Sequence, residues 1–164
     1  MSPLHPDPEE GNIISTLGTG TRSFEEFLAL FIEYNIKVGV DVRSFPTSRF
    51  PHFKREFLQR SLESRAVLYH YLGKELGGFR KGGYLAYMET ESFQKGLERL
   101  KEIGRARRTA FFCSERFPWK CHRQFIAREL IQEGWKVVHI IEKGRVWIPK
   151  KRDQGLTMIG QESL

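Results

Sequence analysis

Residues 36–42 read Ile-Lys-Val-Gly-Val-Asp-Val, and they are the clearest indication of the fold class in this chain. Its many β-branched residues are typical of a strand that is buried on both faces, as the strands of a parallel sheet are. The helix before it is predicted from a capping box, in which Ser23 begins the helix and Glu26 follows three residues later. Together they indicate one unit of an α/β fold.

The same alternation of strand and helix continues along the chain. Apolar stretches predict strands at residues 13–17, 66–71, 109–113 and 136–141, with a short edge strand at 145–148. Amphipathic helices are predicted between strands, and two of them should end at Gly104 and Gly134. This order predicts a three-layer, Rossmann-like α/β sandwich with a mostly parallel sheet of about five strands.

Size and composition are those of one globular domain, which we assign to residues 12–148. A flexible N-terminal arm at 1–11 and a peripheral tail at 149–164 flank it. With 40% apolar and 29% charged residues, the chain is not typical of a disordered protein. No apolar stretch reaches the roughly 20 residues of a membrane span, and the first residues lack a signal pattern. We therefore expect a cytoplasmic protein without membrane contact, and the oligomeric state is left unknown.

Charge and cysteine content limit the partners and the chemistry. The formal net charge of +7 favours an anionic partner, either a phosphate-bearing small molecule or a nucleic acid, although it could also serve solubility. Two cysteines are too few for a disulfide scaffold, so both are expected as thiols in a reducing compartment. The cofactor is left unknown.

Long loops are predicted after several strands, all at the carboxyl edge of the sheet, where open α/β sheets bind ligands. The loop that begins at Gly18 could cradle an anion with its backbone N–H groups, or it could be only a tight turn. The next loop carries Asp41 and Arg43, which suit either a base and an anion clamp or a structural ion pair. Further anion-binding candidates in these loops are Ser48, Arg49, Lys74 and His122.

The loop after the fourth strand carries the most chemistry. Cys113 and Glu115 close the strand, and Cys121, His122 and Arg123 open the next helix. A thiol beside cations and a helix N-terminus has a lowered pKa and is a stronger nucleophile. The alternative for Cys113 is a buried cysteine that packs as a small apolar side chain.

Redox and metal chemistry are weakly indicated by the spacing. The two cysteines do not form a C-x-x-C motif, and residue 119, six after Cys113, is not the arginine of phosphate-cradling cysteine enzymes. A metal bound by Cys113, Cys121 and His122 would need a further ligand, such as Asp41 or Glu115, and the spacing resembles no common zinc module. We therefore assign no metal ligands.

Aromatic residues are frequent in these loops. They either stack on a base or sugar, or form a small core that closes the loops over the sheet edge. They are Phe45, Phe50, Phe53, Phe79, Tyr84, Phe117 and Trp119.

Several motifs resemble those of the domain of unknown function 488 family of prokaryotes. They are Asp41-Val42-Arg43-Ser44-Phe45-Pro46 with Ser48-Arg49, Leu72-Gly73-Lys74-Glu75-Leu76-Gly77-Gly78, Tyr87-Met88, and Cys113-Ser114-Glu115 with Cys121-His122-Arg123. The resemblance runs from about residue 13 to residue 141. It implies no activity, because the family is named for lacking one. Members often carry glycine-histidine-serine after the first strand; here Gly18-Thr19-Gly20 lacks the histidine, so no base is expected there.

The sequence favours an enzyme, a hydrolase or transferase, that acts on an anionic, nucleotide-like or nucleic-acid substrate. In this hypothesis Arg43 and Arg123 hold phosphate, Asp41 or Glu115 moves protons, and Cys113 is the nucleophile or a ligand. The alternative is a non-catalytic nucleic-acid-binding module that uses the same cleft. A structural metal site is a third hypothesis.

Overall fold

A computed structural model describes residues 11–150 of the chain. Six strands and six α-helices follow one another in these residues, with two short 3₁₀ turns in the loops, at Pro51–Phe53 and Pro118–Lys120. The strands are β1 (Ile13–Gly18), β2 (Val38–Asp41), β3 (Leu68–Tyr71), β4 (Thr109–Cys113), β5 (Lys136–Glu142) and β6 (Arg145–Trp147). The helices are α1 (Phe24–Glu33), α2 (Arg55–Glu63), α3 (Gly73–Leu76), α4 (Tyr84–Tyr87), α5 (Glu91–Ala106) and α6 (Arg123–Gln132).

The strands form one sheet in the order β3-β2-β4-β1-β5-β6. Every neighbouring pair is parallel except β5 and β6, which run antiparallel. The predicted α/β class with a mostly parallel sheet is confirmed, and the edge strand makes the sheet six-stranded. Because β4 lies between β2 and β1, the loops after these three strands meet at one edge.

Each face of the sheet carries its own apolar core. On one face Phe112 packs with Phe27 of α1 and Leu58 of α2, all fully buried. On the other face Cys113 packs with Leu97 of α5 and Ile126 of α6. These helices cover both faces, which gives the predicted three layers.

The predicted helix ends are partly correct. Ser23 and Glu26 form the expected capping box at the start of α1, and Gly134, with a φ of 94°, follows α6. Gly104, in contrast, does not end α5, which continues to Ala106. Gly104 lies on the buried face of this helix, where a Cβ would come within 3.1 Å of the Trp135 ring. Its small size therefore serves helix packing and not a turn.

The predicted arm at 1–11 and tail at 149–164 lie almost wholly outside the described residues. No helix between residues 11 and 150 is long and apolar enough to cross a membrane.

Candidate active site

The loop from Cys113 to α6 is held against the end of β1. The N–H of Thr19 donates to the carbonyl oxygen of Cys113, and the N–H of Gly20 donates to that of Ser114, each over 2.9 Å. A Cβ on Gly18 would overlap the carbonyl of Glu115, so only glycine allows this approach. The N–H groups of Thr19 and Gly20 are therefore already hydrogen-bonded and not free to bind an anion. For these two groups the predicted anion cradle in the loop that begins at Gly18 is wrong.

Two sulfur atoms lie together where this loop meets α6. The Sγ atoms of Cys113 and Cys121 are 2.8 Å apart. The Nε–H of Arg123 donates to both, over 3.1 Å to Cys113 and 3.4 Å to Cys121. The backbone N–H of Arg123 also donates to the Cys121 sulfur, over 3.3 Å. The start of α6 therefore directs three N–H contacts at the sulfur pair.

Arg123 is the largest fully buried side chain in the described part of the protein. Its Nη1 donates to the hydroxyl of Thr16 over 2.9 Å, and its Nη2 donates to the carbonyl oxygens of Glu115 and Arg116 over 2.6 and 3.2 Å. None of the ion pairs found within residues 11–150 joins Arg123 to a carboxylate. A buried cation is costly unless an anion compensates it, and the sulfur pair is the group in position to do so.

The two thiols differ in acidity. Burial raises the pKa of Cys113 well above its ordinary value, and the hydrogen bond with Cys121 raises it further. Burial also acts to raise the pKa of Cys121, but the hydrogen bond from Cys113, the charge of Arg123 and the contact with His122 outweigh it. The pKa of Cys121 is therefore well below its ordinary value. In this arrangement Cys113 keeps its proton and donates it in a hydrogen bond to the Cys121 thiolate.

His122 has a defined orientation beside the thiolate. Its Nε2 lies 2.8 Å from the carbonyl oxygen of Val42, which can only accept, so Nε2 carries a proton. Nδ1 is then the nitrogen that faces the Cys121 Sγ, over 3.9 Å, so a proton on Nδ1 would stabilise the thiolate. Gly78 permits this placement, because a Cβ there would come within 3.1 Å of Nδ1. The Cys121 sulfur, the His122 ring and the Val42 carbonyl thus follow one another, the order that nucleophile, base and orienting group take in cysteine enzymes.

Both sulfurs line a cleft of about 520 Å³ at the carboxyl edge of the sheet. Its charged lining residues are one carboxylate, Glu115, and three cations, Arg43, Arg80 and Lys120. Phe45 and Phe79 lie at its mouth, with exposed fractions of 68% and 91% and ring centroids 6.1 Å apart. Such exposure of two large rings beside a charged cleft is typical of a ligand-binding surface.

Asp41 is not part of this cleft. Its carboxylate accepts from the Arg43 guanidinium over 2.9 and 2.8 Å, from the Arg43 N–H over 3.1 Å, and from the Tyr69 hydroxyl over 2.5 Å. Asp41 lies in register with Phe112, so its side chain points to the face opposite Cys113. The prediction that Asp41 and Cys113 share one pocket is therefore wrong, because neighbouring positions along a strand face opposite ways.

Arg43 also has a role different from the predicted clamp. It touches the cleft wall, but its guanidinium is buried and donates to Asp41 and, over 2.7 Å, to the carbonyl oxygen of Phe53. The structural alternative, an ion pair that pins the loop, describes this geometry. Arg123 likewise differs from the predicted anion clamp. Its guanidinium donates to the two sulfurs, and Arg123 is not among the residues that line the cleft.

The other predicted anion-binding residues lie apart from the thiol cleft. The Ser48 hydroxyl accepts from the N–H of Phe50, the Arg49 guanidinium lies 4.9 Å from the Phe50 ring, and Lys74 is exposed on α3. Glu115, by contrast, does line the cleft, and its carboxylate accepts from the N–H of Phe117 over 3.4 Å. No group of three or more His, Cys, Asp or Glu side chains in residues 11–150 could hold a metal ion.

The sequence analysis missed two buried residues, Thr16 and His139, that hold Arg123 in place next to the sulfur pair. Thr16, which receives a hydrogen bond from Arg123, is also 2.7 Å from Nδ1 of His139. Burial, then the charge of Arg123, lowers the pKa of His139 well below its ordinary value, so its ring stays neutral. Thr16 and His139 could have been found in the sequence, because each is a polar residue within an otherwise apolar strand stretch.

A family model described as Domain of unknown function DUF488 matches residues 23–130, about two thirds of the chain. The resemblance drawn from the loop motifs is confirmed. Comparison with curated proteins and with solved structures finds no match.

Proposed function

We propose that this chain, which belongs to the domain of unknown function DUF488 family, is an enzyme that attacks an anionic substrate with the Cys121 thiolate. The observation that carries the proposal is the setting of the Cys121 sulfur. It lines the cleft while accepting from the side chain and backbone of Arg123 and lying 2.8 Å from the Cys113 sulfur. A thiolate held ready in a cleft supports hydrolysis or group transfer through a covalent intermediate.

The reaction has two steps. The Cys121 sulfur forms a bond to the electrophilic atom of the substrate, and the bond to the leaving group breaks with its electron pair on that group. In the second step water, or a second substrate with a hydroxyl, attacks the same atom, and the sulfur leaves as thiolate again. His122 takes the proton of the attacking hydroxyl on Nδ1, and Glu115 is the other proton carrier in the cleft wall.

The substrate class follows from the charge and aromatic content of the cleft. Lys120 lines it, and the whole chain has a net charge of +7, which favours a substrate with phosphate groups. Phe45 and Phe79 offer flat apolar surfaces on which a base can stack. A nucleotide-like or nucleic-acid substrate satisfies both features. The proposal includes a reducing, cytoplasmic setting, since the reaction needs Cys121 free of any disulfide.

Protection from alkylation tests both nucleophile and substrate class. Iodoacetamide should label Cys121 first, and adenosine monophosphate should slow this labelling more than adenosine does, because only the monophosphate carries the anion. Lys120→Ala should reduce the protection, whereas Lys74→Ala, which removes an exposed lysine of α3 outside the cleft, should not. Equal protection by both compounds would contradict an anionic substrate.

Catalysis itself is tested with bis(p-nitrophenyl) phosphate. Release of p-nitrophenol should be lost in Cys121→Ser and strongly reduced in His122→Gln, while both variants keep their folded circular dichroism spectrum. A wild-type rate equal to that of Cys121→Ser would contradict a thiolate enzyme for phosphate esters.

A non-catalytic nucleic-acid-binding module is the second candidate. Phe79 favours it, because this ring is 91% exposed on a residue with a φ of 56°, a backbone conformation that is costly for a large side chain. Binding of a single-stranded oligonucleotide should then fall steeply with salt and with Phe79→Ala, yet persist in Cys121→Ser. Binding that is lost with Cys121→Ser would count against the module.

A further inference from the structure

We propose that Cys113 and Cys121 are also a modification site: a hydroperoxide oxidises Cys121, and Cys113 then closes an intramolecular disulfide with it. This inference goes beyond the proposed function. It needs the two sulfurs and access for a small oxidant, but no nucleotide-like substrate.

The distance between the sulfurs supports disulfide formation. The Sγ atoms are 2.8 Å apart, and a disulfide bond is about 2.05 Å long, so an approach of less than about 1 Å joins them. Seven residues lie between the cysteines, and this segment is a loop with a single 3₁₀ turn at Pro118–Lys120. A loop adjusts to such a small movement more easily than a helix or a central strand does.

The Cys121 sulfur is within reach of a small oxidant. Cys121 is half-buried, and both cysteines line the thiol cleft, which is far larger than a peroxide molecule. Cys121 is also the better nucleophile, since it receives the N–H groups of Arg123 from two directions. Attack therefore begins at Cys121, and Cys113, 2.8 Å away, is the resolving thiol.

The reaction is balanced with the hydroperoxide as two-electron oxidant. The Cys121 thiolate attacks the terminal peroxide oxygen and becomes a sulfenic acid that keeps the peroxide hydrogen. The O–O bond breaks with its electron pair on the other oxygen, which takes a proton from solvent and leaves as an alcohol. The Cys113 sulfur then attacks the Cys121 sulfur, the S–O bond breaks, and the Cys113 proton leaves with the hydroxide as water. For hydrogen peroxide the alcohol is a second water molecule. One thiol and one thiolate become a disulfide, and the peroxide is reduced.

Arg123 makes the disulfide easy to reduce. Oxidation removes the negative charge from the sulfur pair, and Arg123 forms no ion pair with a carboxylate within residues 11–150. The buried guanidinium then lacks a counter-anion, which disfavours the oxidised state. A stabilised thiolate in the reduced form makes a disulfide a strong oxidant. We therefore expect a reversible modification that low-molecular-weight thiols undo, and not a permanent cross-link.

Mass spectrometry of the wild-type chain tests the proposal. After treatment with hydrogen peroxide under native conditions, the intact protein should lose the mass of two hydrogens, and a peptide that links Cys113 to Cys121 should appear. Reduced glutathione should restore the original mass. An unchanged mass, or Cys121 oxidised to sulfinic acid without any linked peptide, would overturn the inference.

Two variants separate the steps. In Cys113→Ser the sulfenic acid at Cys121 should persist and be trapped by dimedone, whereas Cys121→Ser should give neither adduct nor disulfide. Dimedone labelling of Cys113 in the Cys121→Ser variant at the wild-type rate would reverse the assigned order and overturn it. Failure here is distinct from failure of the proposed function, because iodoacetamide labelling and phosphate-ester hydrolysis need only the Cys121 thiolate.

Discussion

Replacing Cys113 with alanine should make Cys121 less acidic. The Cys113 thiol lies 2.8 Å from the Cys121 sulfur and is the donor that lowers the pKa of Cys121. A hydrogen bond to a charged group contributes about 1.5–3 kcal/mol. Since about 1.4 kcal/mol is a tenfold change in an ionisation equilibrium, the ratio of thiolate to thiol at Cys121 should fall roughly tenfold to a hundredfold at a given pH. The contacts from Arg123 remain, so part of the lowering should survive.

The rate of iodoacetamide labelling of Cys121, followed by mass spectrometry across pH, measures this change. The pH at which labelling reaches half its maximal rate should rise in Cys113→Ala. The matched control is Cys113→Ser, which keeps an O–H donor and should stay near the wild-type profile. Identical profiles for the alanine variant and the wild-type chain would refute the thiol-to-thiolate hydrogen bond.

Three further predictions concern stability. Asp41→Asn should lower the free energy of unfolding in urea by about 3–5 kcal/mol, because it leaves Arg43 as an uncompensated buried charge. The rate at which iodoacetamide labels Cys121 should not change. A changed rate would show that Asp41 belongs to the thiol site. Gly18→Ala should lower the free energy of unfolding by more than about 3 kcal/mol in the same assay, since the alanine Cβ would overlap the backbone of Glu115. A wild-type stability would show that the loop can move away from residue 18 at little cost. The lowered folded pKa of Cys121 stabilises the chain fully above the unfolded thiol value of about 8.5, and this contribution is lost as the pH falls from there through the folded pKa. The free energy of unfolding in urea should therefore fall more steeply below about pH 8.5 in the wild-type chain than in Cys121→Ala, and parallel curves would contradict it.

The fold was largely predictable because its signals are local. Strand β4 was expected at residues 109–113 and is found at Thr109–Cys113, since a short run of apolar residues between polar ones marks both ends. The capping box of Ser23 needs only residues within one turn. The position of the thiol loop at the carboxyl edge follows from the alternation of strands and helices alone.

The side-chain arrangement of the site was not predictable in the same way. A strand buried on both faces has no alternation of polar and apolar residues, so nothing in the sequence says which face Asp41 or Cys113 takes. The orientation of His122 depends on the Val42 carbonyl, 80 positions earlier in the chain. The role of Arg123 depends on Thr16, 107 positions away. Such contacts follow from tertiary packing. A sequence motif shows which residues are present but not which distant groups their side chains contact.

The negative charge on Cys121 is tested most directly by the labelling of the unmodified, reduced wild-type chain. We expect iodoacetamide to label Cys121 before Cys113, at a rate that stays near its maximum well below the ordinary thiol pKa of about 8.5. A rate that rises only as the pH approaches that value, or a first label on Cys113, would contradict the thiolate on which both the proposed reaction and the peroxide chemistry depend.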